Sequence, residues 1–78
     1  MDEKVYNFTV GELIKILQEY PVEMPVVVSG YEYGYENFYY PFVRKVMHQP
    51  ENPYYDGQFQ PDDHGTEVLI LDREVRSD

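Results

Sequence analysis

The side chains best suited to chemistry in this chain are His48, Asp62, Asp63 and His64, four groups able in principle to hold a divalent cation. Ligands must converge, however, and Asp62-Asp63-His64 has neither the spacing of a zinc motif nor that of a calcium loop. The run also falls where coil is expected. General acid–base work needs two carboxylates, or a carboxylate and a histidine, held together in a cleft. The fifteen Asp and Glu residues are instead scattered along the chain. Ser29 precedes Gly30, but no glycine stands two residues before it, so it is not a nucleophile elbow. Gly30 and Gly34 are too few, and too crowded by tyrosines, to cradle a phosphate. The chain has no cysteine, so thiolate metal sites, disulfides and cysteine nucleophiles are excluded. The expectation is a non-catalytic chain with no metal site and no cofactor.

What remains is aromatic. Tyr31, Tyr33, Tyr35, Phe38, Tyr39 and Tyr40 fall within ten residues, and Tyr54, Tyr55 and Phe59 follow in a second stretch. Tyrosine offers a large rigid contact area with a polar tip at a small cost in rotamer entropy, which suits recognition surfaces. These nine residues are the candidate interaction surface. A competing role for the same rings is to cover a sheet face that a small core leaves open, because apolar rings bury themselves when they can. A dimer interface satisfies both readings.

Charge narrows the partners. Six basic against fifteen acidic side chains give a formal net charge of −9. Nucleic-acid affinity comes largely from Lys and Arg neutralising phosphates, so direct DNA or RNA binding is disfavoured. Anionic membranes are disfavoured for the same reason. A basic protein partner suits the balance, although acidity also serves plain solubility. Arg44-Lys45 is the one adjacent basic pair; as strand neighbours they point to opposite faces, with Glu67 or Asp72 as cross-strand partners. MDEKVYNF is not a signal peptide, and the longest apolar runs, Val26–Val28 and Val68–Leu71, are far shorter than the roughly 18 residues of a membrane helix. With no cysteine, a cytoplasmic location is expected.

The elements that must position these side chains can be read in order. Thr9 and Glu12 form a capping box, and Phe8 stands at hydrophobic-staple distance from Leu13. Leu13, Ile16, Leu17 and Tyr20 fall on one stripe, with Val10 and Ile14 at its edge. Pro21 closes the helix, which is expected over about residues 10–19. Strands are expected at Val26–Val28, at Phe42–Met47 and at Val68–Leu71, with a short edge strand at residues 4–8 as an addition. The result is a single small α+β domain over residues 1–78, in α-β-β-β order, its one N-terminal helix packed on a three-stranded or four-stranded antiparallel sheet. Long loops are expected at about 31–40 and 49–65, although the first half of the earlier one could extend the first strand as a twisted hairpin. A seventeen-residue connection in so small a domain is generally functional or disordered. The first and last strands are apolar on consecutive residues, which asks for cover on both faces. One helix covers only one face, so aromatic loops or a second copy must cover the other.

Thr9-Val10-Gly11-Glu12-Leu13-Ile14, Tyr20-Pro21 and Pro25 through Glu32 together resemble the opening of short uncharacterised bacterial and phage α+β proteins. Those proteins share a helix, a proline-bounded turn, and a valine strand ending in a Ser-Gly-Tyr-Glu type segment. The resemblance implies a small α+β fold and a bacterial or phage origin; it carries over no activity and no functional residue. The leading expectation for function is therefore a protein-interaction module, a small acidic regulator or inhibitor working through the tyrosine-rich loops. The alternatives are a small-ligand binder that stacks tyrosines on its ligand and a structural homo-oligomer.

Overall fold

A computed structural model describes residues 4–77. It is α+β: the N-terminal helix α1 (Val10–Leu17) is followed by β1 (Val28–Ser29), β2 (Tyr35–Glu36), β3 (Phe42–His48), β4 (Phe59–Pro61) and β5 (Thr66–Ile70). β4, β3 and β5 make a three-stranded antiparallel sheet with β3 in the middle, while β1 and β2 form a separate two-stranded hairpin.

Helix α1 starts where its local chemistry says it should. The Thr9 hydroxyl accepts from the Glu12 N–H at 3.2 Å, and the Glu12 carboxylate accepts from the Thr9 N–H at 2.9 Å. The helix ends at Leu17, two residues short of the expected limit. There the Glu19 and Tyr20 N–H groups donate to the Ile16 and Leu17 carbonyls, both at 3.1 Å, and this tighter i→i−3 pattern winds the chain down before Pro21. Leu13 and Ile16 are half-buried, yet α1 buries no residue completely. Val10 and Leu13 join Phe8, Val68 and Leu71 in lining an apolar groove beside β5.

The sheet turns on one residue. β4 pairs with the C-terminal end of β3, and β5 pairs with the rest, so that Val46 stands opposite both Pro61 and Thr66. Among the described residues Val46 alone is buried, at 5 % exposure. Residues 62–65 link the two flanking strands in a turn built by Asp62. Its carboxylate accepts from the His64 N–H at 2.8 Å, its carbonyl accepts from the Gly65 N–H at 2.9 Å, and its own N–H donates to the Lys45 carbonyl at 3.0 Å. Gly65 lies directly on the Val46 backbone, and a Cβ at that position would overlap the Val46 carbonyl. Pro61 is tolerated because β4 lies at the edge of the sheet.

The register sorts side chains onto two faces. Phe42, Arg44, Val46 and His48 share one face with Ile70, Val68, Thr66 and Phe59. On it Phe59 stacks against Tyr6 (5.0 Å between centroids, 12° between planes) and lies 5.2 Å from the His48 ring. Residues 4–8 therefore add no strand to the sheet; they contribute a ring to its surface instead. The other face carries Val43, Met47 and Leu69, all still exposed, with Lys45 opposite Glu67 as the alternation requires.

Two expected boundaries move. Only Val28 of the Val26–Val28 run enters a strand, and it pairs with Glu36 in the hairpin rather than with the main sheet. Val26 and Val27 line a surface groove with α1. The 49–65 stretch contains β4, and its first part is tied by backbone bonds from Gln49 to Gln58, from Asn52 to Gln49 and from Asp56 to Pro53. Among the described residues no helix is long and apolar enough to cross a membrane.

Two outcomes follow from this frame. Gly65→Ala must push a methyl group into the backbone of the central strand, and should cost at least about 2 kcal/mol of stability, read by denaturant unfolding. The Glu12 carboxyl is held below the usual carboxylate range first by the hydrogen bond from the Thr9 N–H, then by the Thr9 hydroxyl and the Lys4 charge. A depressed pKa stabilises the folded state above the unfolded value, and that stabilisation is lost as pH falls through the folded value. Acidification through the carboxylate range should therefore lower α-helical circular dichroism more in the wild type than in Glu12→Gln, which keeps the cap geometry without the titration.

Candidate interaction surface

The hairpin that carries the tyrosines is sharp. Its turn is closed by the Gly34 N–H donating to the Tyr31 carbonyl at 2.9 Å, and the Gly30 N–H donates to the Gly34 carbonyl at the same distance. Both central residues have positive φ, Glu32 at 50° and Tyr33 at 71°. Two such residues in succession are the signature of a type I′ turn, whose preferred sequence is Asn-Gly. The tip therefore holds a bulky side chain in the left-handed region, where a Cβ crowds the following carbonyl.

The C-terminal segment fixes the hairpin to the rest of the chain. Phe38 forms a β-bridge with Arg73. The Tyr39 N–H donates to the Asp72 carbonyl and the Glu74 N–H to the Asn37 carbonyl, each at 2.8 Å. The Tyr39 hydroxyl accepts from the Val75 N–H at 3.1 Å. Arg73 places its guanidinium 4.1 Å from the centre of the Tyr31 ring, a cation–π contact. Arg76 Nε donates to the Glu36 carboxylate at 2.8 Å. Between hairpin and tail lies a groove of about 280 Å³, walled by Tyr31, Tyr35, Glu36, Arg73 and Arg76.

The nine aromatic residues singled out in the sequence thus separate by role. Tyr31 and Tyr35 flank the groove, both largely exposed, and Tyr33 projects fully into solvent from the turn. Tyr40 is also almost wholly exposed, whereas Phe38 and Phe59 are half-buried and Tyr39 spends its hydroxyl on the tail. Tyr54 and Tyr55 form their own edge-to-face pair at 5.4 Å, with both rings open to water. Sequence reasoning missed Arg73 and Arg76, since their partners lie about forty positions upstream and no local pattern announces them. It allowed a hairpin in this stretch, which the structure shows, but did not place its turn, because Glu-Tyr is not a turn signal.

The remaining candidates for chemistry are scattered or already engaged. His48 Nε2 lies 2.8 Å from the Gln58 amide oxygen. Asp62 shapes the turn before Gly65 and stands 4.0 Å from His64 Nδ1. Among the described residues no three His, Asp or Glu side chains converge as a cation site would require.

Removing the Tyr39 hydroxyl leaves the Val75 N–H without its acceptor. Tyr39→Phe should speed amide exchange at Val75 and Arg76 while costing the whole fold no more than about 1 kcal/mol, since a single exposed hydrogen bond contributes little more. Unchanged exchange in the tail would show that the hydroxyl does not hold it.

No protein-family model, curated protein or solved structure matches this chain.

Proposed function

We propose that the chain is a non-catalytic protein-interaction module, a small acidic regulator or inhibitor whose contact surface is the tyrosine-tipped β1–β2 hairpin. The observation that carries this reading is the backbone at Glu32 and Tyr33. A left-handed residue with a Cβ costs about 1 kcal/mol or more, and glycine would remove that cost at Tyr33. Nothing in the fold repays it, because the Tyr33 ring is completely exposed. Strain that the fold itself does not use is a mark of a working surface.

The surroundings support the same reading. Tyr31 and Tyr35 stand on either side of the tip, and Arg73 and Glu36 stiffen its base. A preorganised aromatic tip binds with less entropy to lose. Glu32 sits beside Tyr33 at the apex of a chain with a net charge of −9, which steers approach towards a basic partner surface. Ligand binding between Tyr31 and Arg73 is the weaker reading: the groove of about 280 Å³ is open and falls below the roughly 300–1,000 Å³ of small-molecule sites.

The test separates stability from function. Glu32→Asn with Tyr33→Gly installs the preferred type I′ pair, so the double variant should melt at a higher temperature than the wild type. Partner binding, measured by titration after affinity capture, should weaken roughly 30-fold or more if Tyr33 is a hot spot. A stabilised variant that binds its partner as tightly as the wild type would sink the proposal.

A further inference from the structure

The surface of this chain is too large for its mass. A folded monomer of 9.3 kDa exposes roughly 5,000 Å². This chain exposes 7541 Å², an excess of roughly 2,500 Å² over that scaling. Its radius of gyration is 14.6 Å, against about 11.5 Å for a compact chain of this length. Much of the open surface is apolar. Ile14, Leu17, Tyr20, Val22, Met24 and Val26 keep between 46 % and 101 % of their surface exposed, and they line one groove of about 730 Å³ between the outer side of α1 and the arm that follows it. The arm is bounded by Pro21 and Pro25 and closed by a bond from the Met24 N–H to the Pro21 carbonyl at 3.1 Å. The groove is therefore formed in advance of any occupant.

We infer that this groove is the homodimer interface of the protein: a second copy lays its own α1 and arm against it, in an isologous two-fold contact. Three observations select a copy of the chain over a different partner. First, obligate dimers bury roughly 2,000–5,000 Å² in total, or about 1,000–2,500 Å² per chain, and the chain as a whole leaves an excess of that order uncovered, to which the exposed residues of this groove contribute. Second, the Gln18 amide and the Tyr20 hydroxyl are the only polar side-chain groups in the lining, and no charged residue contributes to it. Two chains each at −9 can meet through a lining that holds no carboxylate, with Glu19 and Glu23 of the same segments outside it, whereas a basic partner finds nothing in the lining to pair with. Third, with Val46 the single buried residue among those described, the fold needs its cover whenever it is folded. A partner present at equal concentration under all conditions is the chain itself. The groove shares no lining residue with the tyrosine hairpin, so dimerisation leaves two hairpins free and is independent of their role.

Sedimentation equilibrium on the full chain, with intermolecular NOEs recorded on a mixture of labelled and unlabelled protein, tests this. The expected mass is twice 9.3 kDa at micromolar concentration, with intermolecular NOEs at the Ile14, Leu17, Met24 and Val26 side chains. The melting temperature should rise with protein concentration, as it does for a dimer that folds with its interface. Leu17→Lys should weaken association at least tenfold; should that variant fail to fold, the NOE map on the wild type still decides. A monomer at high micromolar concentration would overturn the inference. So would a dimer whose NOEs fall at the tyrosine hairpin or at the Val43, Met47 and Leu69 face, or a Leu17→Lys variant that associates like the wild type.

Discussion

Everything in the sheet depends on the close approach of Gly65 to Val46. Both flanking strands meet β3 at that residue, one through Pro61 and the other through Thr66, so four residues must carry the chain from one strand to the next. Only a residue without a Cβ can lie on the Val46 backbone, and only a tight turn can cover the distance. Asp62 supplies that turn with its carboxylate, its carbonyl and its N–H together. The cost is size. β4 keeps three residues and β5 five, and a sheet of such short strands encloses little.

Its other parts attach to this frame as satellites. The hairpin is held by the 72–76 segment, through backbone bonds, one tyrosine hydroxyl and two arginines. The helix is fixed through its N-terminal approach, where Tyr6 stacks on Phe59 and Phe8 and Leu13 face β5. Neither attachment buries much. Hydrogen bonds at exposed positions each contribute about 1 kcal/mol or less, and the Arg76–Glu36 pair, half-buried at Glu36 but open to water at Arg76, is worth about as little because water screens it. Domains of this size commonly need a cross-link, a metal or an assembly to be stable. Cysteine is absent, which removes the first of these and gives weight to association.

Legibility in the sequence followed range of interaction. The helix start was readable because Thr9 and Glu12 are three residues apart and their contact is local. β3 and β5 were readable because Phe42–Met47 and Val68–Leu71 carry β-branched and apolar residues between turn signals, although β3 runs on to His48 and β5 is shifted to Thr66–Ile70. β4 was not: Phe59-Gln60-Pro61 is short, ends in proline, and is a strand through its pairing with Val46, Met47 and His48. Val26 and Val27 read as strand from composition alone, yet a short apolar run has no period of its own and fits a helix-facing arm equally well. The tyrosines were legible as a composition, but their arrangement was not. Arg73 and Arg76 decide which rings form a groove, and only tertiary structure brings them there. At Glu32-Tyr33 the backbone runs against local propensity, the kind of disagreement expected where a site rather than the fold sets the residue.

The nine aromatic residues also divide by exposure, residue by residue. Phe59 and Phe38, the two of the nine without a hydroxyl, are half-buried against the sheet and the tail. Tyr33, Tyr40 and Tyr54 stand in water. That division follows solvation: a phenol can remain exposed at little cost because its tip is hydrated, whereas a phenyl ring gains most by leaving water. The exposed aliphatic side chains around α1 have no such excuse. Leu17, Met24 and Val26 carry no polar atom to satisfy, so their exposure is an unfavourable term that persists until something covers them. On the reading proposed above, the tyrosines can wait for a partner that comes and goes, whereas the aliphatic groove needs one that is present whenever the chain is folded.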